Sequence, residues 1–187
     1  MNLQLKEKVI IVPGGSKGIG YGICEQLIKE SAIPVIVGRD RKSILQAVKK
    51  LEETGGNVGF AFAELTDPKD CKKAVEQIIS EYGLIDGLVN NAGVNDEVSL
   101  SEGDFESFTK SIHRNLTHYF MMAHYSLPAL KKSKGSIVNI GSKTSFTGQG
   151  GTSAYAAANG GRNALTREWA VELLPFSIRV NSILSLI

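Results

Sequence analysis

Ser142 and Tyr155, a hydroxyl and a phenol thirteen residues apart, are the side chains best suited to acid–base work on a bound oxygen. Ser142 closes the apolar run 137–140 through Gly141, and Tyr155 lies at the start of a segment with helical character. A strand end and a helix start can bring such groups to one spot despite their separation in sequence. A second chemical signature lies far upstream, in Pro13-Gly14-Gly15-Ser16-Lys17-Gly18-Ile19-Gly20. Glycines there allow a tight turn and close backbone approach to a pyrophosphate, whose charge then sits at a helix N-terminus. In isolation such a cluster is equally well a structural turn. Between an apolar strand and an amphipathic helix it reads as a dinucleotide site.

The elements that must position these groups follow from hydrophobic periodicity. Residues 9–12 are continuously apolar, as in a strand buried on both faces. Apolar residues at 19, 23, 24, 27 and 28 then recur at helical spacing. Further strands are expected at 33–37, 58–63, 88–90, 136–140 and 179–183. Helices are expected at 43–53, from the Thr66-Asp67-Pro68 cap to Gly83, at 105–132 and at 153–174. This alternation predicts βαβ units and an α/β fold with a doubly wound parallel sheet, order 3-2-1-4-5-6, and helices on both faces.

With 187 residues, the length prior is one domain. A hydrophobic content of 42% and a charged content of 21% fit an ordinary globular protein. The net charge of +2 is spread along the chain, so nothing points to nucleic acid or an anionic membrane surface. The polar N-terminus and the lack of a long apolar run predict a soluble, cytoplasmic protein. Cys24 and Cys71 fall in helical patterns and are expected to be buried thiols. His113, His118 and His124 do not share one helix face with carboxylates, so no metal site is predicted.

The glycine turn, Asn90-Asn91-Ala92-Gly93 and the Ser142–Tyr155 pair occur in an order and spacing that resembles the short-chain dehydrogenase/reductase family. The resemblance runs from about residue 5 to 182. It implies that Tyr155 exchanges a proton with the substrate oxygen, that Ser142 hydrogen-bonds that oxygen, and that Asn115 marks a helix kink holding a relay water. It also implies cofactor contacts from Gly14, Ser16, Lys17, Gly18, Ile19, Gly20, Leu65, Asn90, Ala92, Gly93 and Tyr155. Proline at 13, where the family usually has threonine, removes a hydroxyl and an N–H and predicts weaker cofactor affinity.

Where the family keeps a lysine that binds the nicotinamide ribose and favours the tyrosinate, this chain has Asn159. Asn159 can hydrogen-bond a ribose hydroxyl but brings no charge, so oxidation is expected to suffer more than reduction. Arg162 shares a helix face with Tyr155 and Asn159. The usual exposure of arginine predicts a surface residue there rather than a substitute cation. The family's seventh strand and substrate-covering loop are not in this sequence, which predicts an exposed strand-six edge with an apolar tail.

Cofactor choice is written after strand two, in Arg39 and Asp40. A basic side chain accommodates the 2′-phosphate of NADP, and an acidic one pairs the 2′-hydroxyl of NAD. Arg39 with Lys17 favours NADP over NAD on electrostatic grounds. Segments 87–96, 115–125 and 141–150 resemble the L-fucose, sugar-oxidising branch. That implies a small polyol substrate near Asn95, Asp96, Ser142, Lys143, Thr144, Gln149 and Tyr155. Two other readings stand beside it: an inert or impaired nucleotide-binding protein, and a reductase of 3-oxoacyl or other carbonyl substrates. By resemblance, a homodimer at most is expected, through the helices of 105–132 and 153–174.

Overall fold

The computed structural model describes residues 3–185. Six strands form one parallel sheet: β1 (Val9–Pro13), β2 (Ile33–Gly38), β3 (Gly59–Phe62), β4 (Gly87–Asn90), β5 (Ser136–Ser142) and β6 (Arg179–Ser185). Their order is β3-β2-β1-β4-β5-β6, as the alternation predicts. The six helices are α1 (Gly18–Lys29), α2 (Arg41–Glu52), α3 (Pro68–Tyr82), α4 (Phe105–Ile112), α5 (His118–Ser133) and α6 (Ser153–Glu172).

The strand period of two divides β1 between two cores. Val9 and Ile11 pack with Cys71, Ala74, Val75 and Ile78 of α3, with Tyr119, Met122 and Leu130 of α5, and with Trp169 of α6. Ile10 and Val12 pack on the opposite face with Cys24 of α1 and with Ile44, Val48 and Leu51 of α2. Burial on both sides explains why β1 reads as an unbroken apolar run. Cys24 and Cys71 are buried and unpaired, and burial pushes both thiols up to about 12.

Caps fix the helix starts. Asp40 accepts a hydrogen bond from Ser43 N at the head of α2, and Asp67 accepts one from Lys69 N ahead of Pro68 in α3. Gly83, at φ +74°, ends α3 in the left-handed region that glycine enters without strain. β1 lies between β2 and β4, so the chain reverses its direction of winding beside β1. Ligands of open α/β sheets bind in the crevice at such a point, outside the carboxyl ends of the strands.

Two expectations need correction. The helix read over 105–132 is α4 and α5 joined by a π-turn, His113–Thr117. Its apolar periodicity continues through the turn, so the pattern alone does not mark the break. Phe120 keeps that apolar period yet is exposed. Strand five also runs further than 140, to Ser142, where it pairs in register with Ser185 of β6. No helix of the described residues is long and apolar enough to cross a membrane.

Candidate active site

The carboxyl ends of β1, β4, β5 and β6 open into a cleft of about 500 Å³. Gly14, Lys17, Gly18, Ile19 and Gly20 line it from the glycine turn; Ala92 and Gly93 from the segment after β4; Ser142 and Tyr155 from β5 and α6. The two chemical signatures of the sequence therefore meet in one cavity. Ser142 is buried, and its Oγ accepts from Thr144 N at 3.3 Å as the chain turns after β5. The following single turn, Lys143–Ser145, leads out to the loop that returns to α6.

The glycine turn is compact because side chains do not fit. Gly14 lies at φ +73°, and a Cβ on it would sit 3.0 Å from Ala92 Cα. A Cβ on Gly20 would run into the Gly14 carbonyl oxygen. Asn91, which the sequence reading passed over, closes the turn by donating from Nδ2 to Pro13 O at 3.2 Å and Gly14 O at 3.3 Å. Its signal was present, since it is the second residue of the Asn-Asn-Ala-Gly stretch. Asn90 is fully buried and donates to Asn139 Oδ1 at 3.0 Å, bracing β4 against β5 rather than lining the cleft.

Asn115 sits in the π-turn, where the widened ladder lets groups depart from regular helical pairing. Its Oδ1 accepts from Val94 N at 2.8 Å, which ties the turn to the segment after β4. Its carbonyl oxygen accepts from Arg162 Nε at 2.8 Å and Nη2 at 2.6 Å.

Arg162 overturns the surface placement expected for it: the residue is 3% exposed and lines the cleft. Its Nη1 also donates to Ile140 O at 3.2 Å and to Asn159 Oδ1 at 3.0 Å. The guanidinium carbon lies 4.4 Å from the Tyr119 ring centroid and 5.9 Å from that of Tyr155. Asn159 is fully buried, with Nδ2 donating to Tyr155 O at 2.9 Å and Oδ1 held by Arg162. Both ends of its amide are thus engaged within the protein. What hid Arg162 is that its burial depends on the π-turn carbonyl of a distant element.

On the adenosine side, a second hollow of about 310 Å³ is lined by Lys17, Arg39, Leu65, Ala92, Gly93 and His118, among others. Arg39 Nη1 pairs with Glu64 Oε2 at 2.8 Å on the surface. Burial works against the Glu64 carboxylate, but hydrogen bonds from Arg39 and Thr66 outweigh it and hold its pKa below the ordinary value. Asp40 spends its carboxylate on Ser43 N and Oγ, which lowers its pKa. Ser16 lies in a smaller hollow of about 240 Å³ with Lys17, Tyr21 and Lys50. His118 Nε2 bonds Ala92 O at 3.0 Å; a carbonyl only accepts, so Nε2 carries the proton. Its Nδ1 is buried without a hydrogen-bond partner, and burial together with the Arg162 charge pushes its pKa down to about 3.

The residues expected to meet substrate are placed less uniformly. Ser142 and Tyr155 line the cleft; Asn95, Asp96, Lys143, Thr144 and Gln149 do not. Asn95 and Gln149 are exposed on loops, and Lys143 is exposed on the single turn after β5. Asp96 accepts from Ser111 Oγ at 2.6 Å, and Thr144 is buried with its Oγ1 unpartnered.

The model of the short chain dehydrogenase family matches residues 8–185. Cyclopentanol dehydrogenase of Comamonas sp. (strain NCIMB 9872) is 31% identical over 181 residues, covering 96% of this chain and 72% of the relative. The 3-oxoacyl-[acyl-carrier-protein] reductase FabG of Thermotoga maritima is 32% identical over 182 residues, covering 97% and 74%. Among solved structures, the Cj0485 dehydrogenase superposes with a TM-score of 0.91 at 41% identity, covering 98% of this chain and 70% of that one. These relatives are oxidoreductases, and family members use NAD or NADP. With a family model matched nearly from end to end and relatives of this identity, the chain belongs to the short-chain dehydrogenase family.

Proposed function

We propose that this chain is an NAD(P)-dependent oxidoreductase acting on an alcohol or carbonyl, with NADP preferred and a sugar-like alcohol such as L-fucose as substrate. The observation that carries the reading is the single cleft shared by the glycine turn, Ser142 and Tyr155. The cavity fits a dinucleotide by two features of its own: a turn too tight for side chains at Gly14 and Gly20, and a lining with two cations and no carboxylate. When bound, the nicotinamide supplies or accepts the hydride. Ser142 Oγ orients the substrate oxygen, and Tyr155 Oη gives or takes its proton.

The preference for NADP rests on Arg39 and Lys17, which face the same hollow. The Arg39–Glu64 pair is surface-exposed, and exchanging such a pair for a 2′-phosphate costs little. Asp40, the residue that would favour NAD, is committed to the α2 N-terminus. Sugar specificity is supported by the resemblance of 87–96, 115–125 and 141–150 to the sugar-oxidising branch. The relative named as a 3-oxoacyl reductase supports the carbonyl-reductase reading instead.

One experiment separates them: oxidation of L-fucose and of cyclopentanol with NADP⁺, beside reduction of a 3-oxoacyl thioester with NADPH. Turnover of the aldose alone supports the sugar reading, and turnover of the thioester alone replaces it. Dinucleotide binding measured by calorimetry with none of the three turned over would favour an inert binder.

A further inference from the structure

Arg162 is the one buried side chain of the cleft whose charge has no counter-charge among the described residues. It is 3% exposed, and no carboxylate lies within ion-pair distance of it there. Removing a cation from water is costly unless the site compensates it. Here the compensation is neutral: the carbonyls of Asn115 and Ile140, the Asn159 amide oxygen and the face of Tyr119. Nη2 retains a second N–H beyond its bond to Asn115. A Cβ on Gly93 would stand 2.7 Å from that nitrogen, so glycine there leaves it room at the cleft wall.

A buried cation that is oriented but not neutralised is suited to negative charge that arrives with a ligand. The rest of the lining agrees, since Lys17 is its other cation and it contains no acid. Asn159 explains how the guanidinium is held. It accepts from Arg162 on one side and donates into its own helix through Tyr155 O on the other. One helical turn separates the two residues, so they present to the same face. A cation at 159 and a cation at 162 would therefore compete for one small buried volume.

We propose that Arg162 is the functional cation of the cleft, that it holds the anionic dinucleotide, and that Asn159 is its positioning residue. The ligand half rests on the reading of the chain as a dinucleotide-dependent oxidoreductase. The pair half does not. A corollary is that Asn159→Lys alone is harmful, because it places two positive charges together with no acid between them.

The test is calorimetric titration of NADPH and NADH with thermal unfolding, on wild type, Arg162→Met, Arg162→Lys, Asn159→Lys and the double variant Asn159→Lys/Arg162→Met. Loss of a charge-assisted contact predicts about tenfold or more weaker binding in Arg162→Met. Arg162→Lys should keep most of the affinity. Asn159→Lys should unfold at a lower temperature without gaining affinity; the double variant should recover the melting temperature lost in Asn159→Lys and the affinity lost in Arg162→Met. A purely structural arginine would not be replaced by a lysine one turn away. Wild-type affinity in a folded Arg162→Met overturns the ligand half, and equal stability of wild type and Asn159→Lys overturns the pair half. If Arg162→Met does not fold, Arg162→Lys against Arg162→Gln makes the same comparison, since only one keeps the charge. A wild-type chain that binds neither dinucleotide sinks the functional reading and the ligand half with it, while the thermal series still decides the pair.

Discussion

Removing only the phenolic oxygen, as in Tyr155→Phe, leaves the ring in place at the cleft wall and the Asn159 bond to the Tyr155 carbonyl untouched. We therefore expect turnover to fall by about 10²-fold or more, the scale of a lost general acid–base group. Dinucleotide affinity should barely change, and calorimetry beside a steady-state assay checks both. His118 offers a prediction independent of substrate. Its pKa is pushed down to about 3 from the ordinary 6.5, first by burial and then by Arg162. The unfolded chain takes up this proton near pH 6.5 and the folded one does not. Stability from this residue is thus present above that pH and is lost as pH falls toward about 3. His118→Asn should flatten the fall in melting temperature over this window; an unchanged acid slope would count against it. At this scale Ser142 and Tyr155 were legible, because a serine at a strand end and a tyrosine at a helix start follow from local pattern. Arg162 was not, because arginine is usually exposed and its burial is decided by a carbonyl from another element.

Between elements, the site depends on how the segment after β4 touches both the glycine turn and the π-turn. Asn91 donates to Pro13 O and Gly14 O on one side, and Val94 N donates to Asn115 Oδ1 on the other. Asn91→Ala removes the first tie, the donor to both carbonyls. Dinucleotide affinity is expected to drop about fivefold, as for the loss of one ordinary hydrogen bond, with little change in melting temperature. Wild-type affinity in a titration would show that the turn holds its shape without Asn91. β1 and β2 were legible because strands buried on both faces leave unbroken apolar runs, and α3 because Asp67-Pro68 and Gly83 mark its ends chemically. The π-turn at His113–Thr117 left no trace in apolar spacing, since Phe108, Ile112, Leu116, Phe120 and Ala123 keep the helical period across it. Only the resemblance pointed to a kink at Asn115. Its physical cause is tertiary: the turn frees the Asn115 carbonyl for a guanidinium that comes from α6.

For the molecule as a whole, the strand order was legible because βαβ connections allow few alternatives. What covers the outer surface was not, since an exposed apolar side chain on a helix reads the same in sequence whether solvent or a partner meets it. The helical face now offers specific candidates. Phe120 of α5 and Val171 of α6 are exposed, and a small groove between these helices is lined by Phe120, His124, Trp169 and Leu173. Phe120 stacks on His124 with ring centroids 5.6 Å apart. Aromatic side chains set in a groove are the kind of group that anchors protein interfaces. We expect a homodimer through α5 and α6, burying about 800 Å² on each partner if it is of standard size. Light scattering at micromolar concentration should report a dimer for wild type and a monomer for Phe120→Asp, whose charge would have to be desolvated at the interface. Because Phe120 does not line the cleft, dinucleotide affinity should be the same in both. A tetramer, or a Phe120→Asp variant that remains dimeric, would place the contact on another surface.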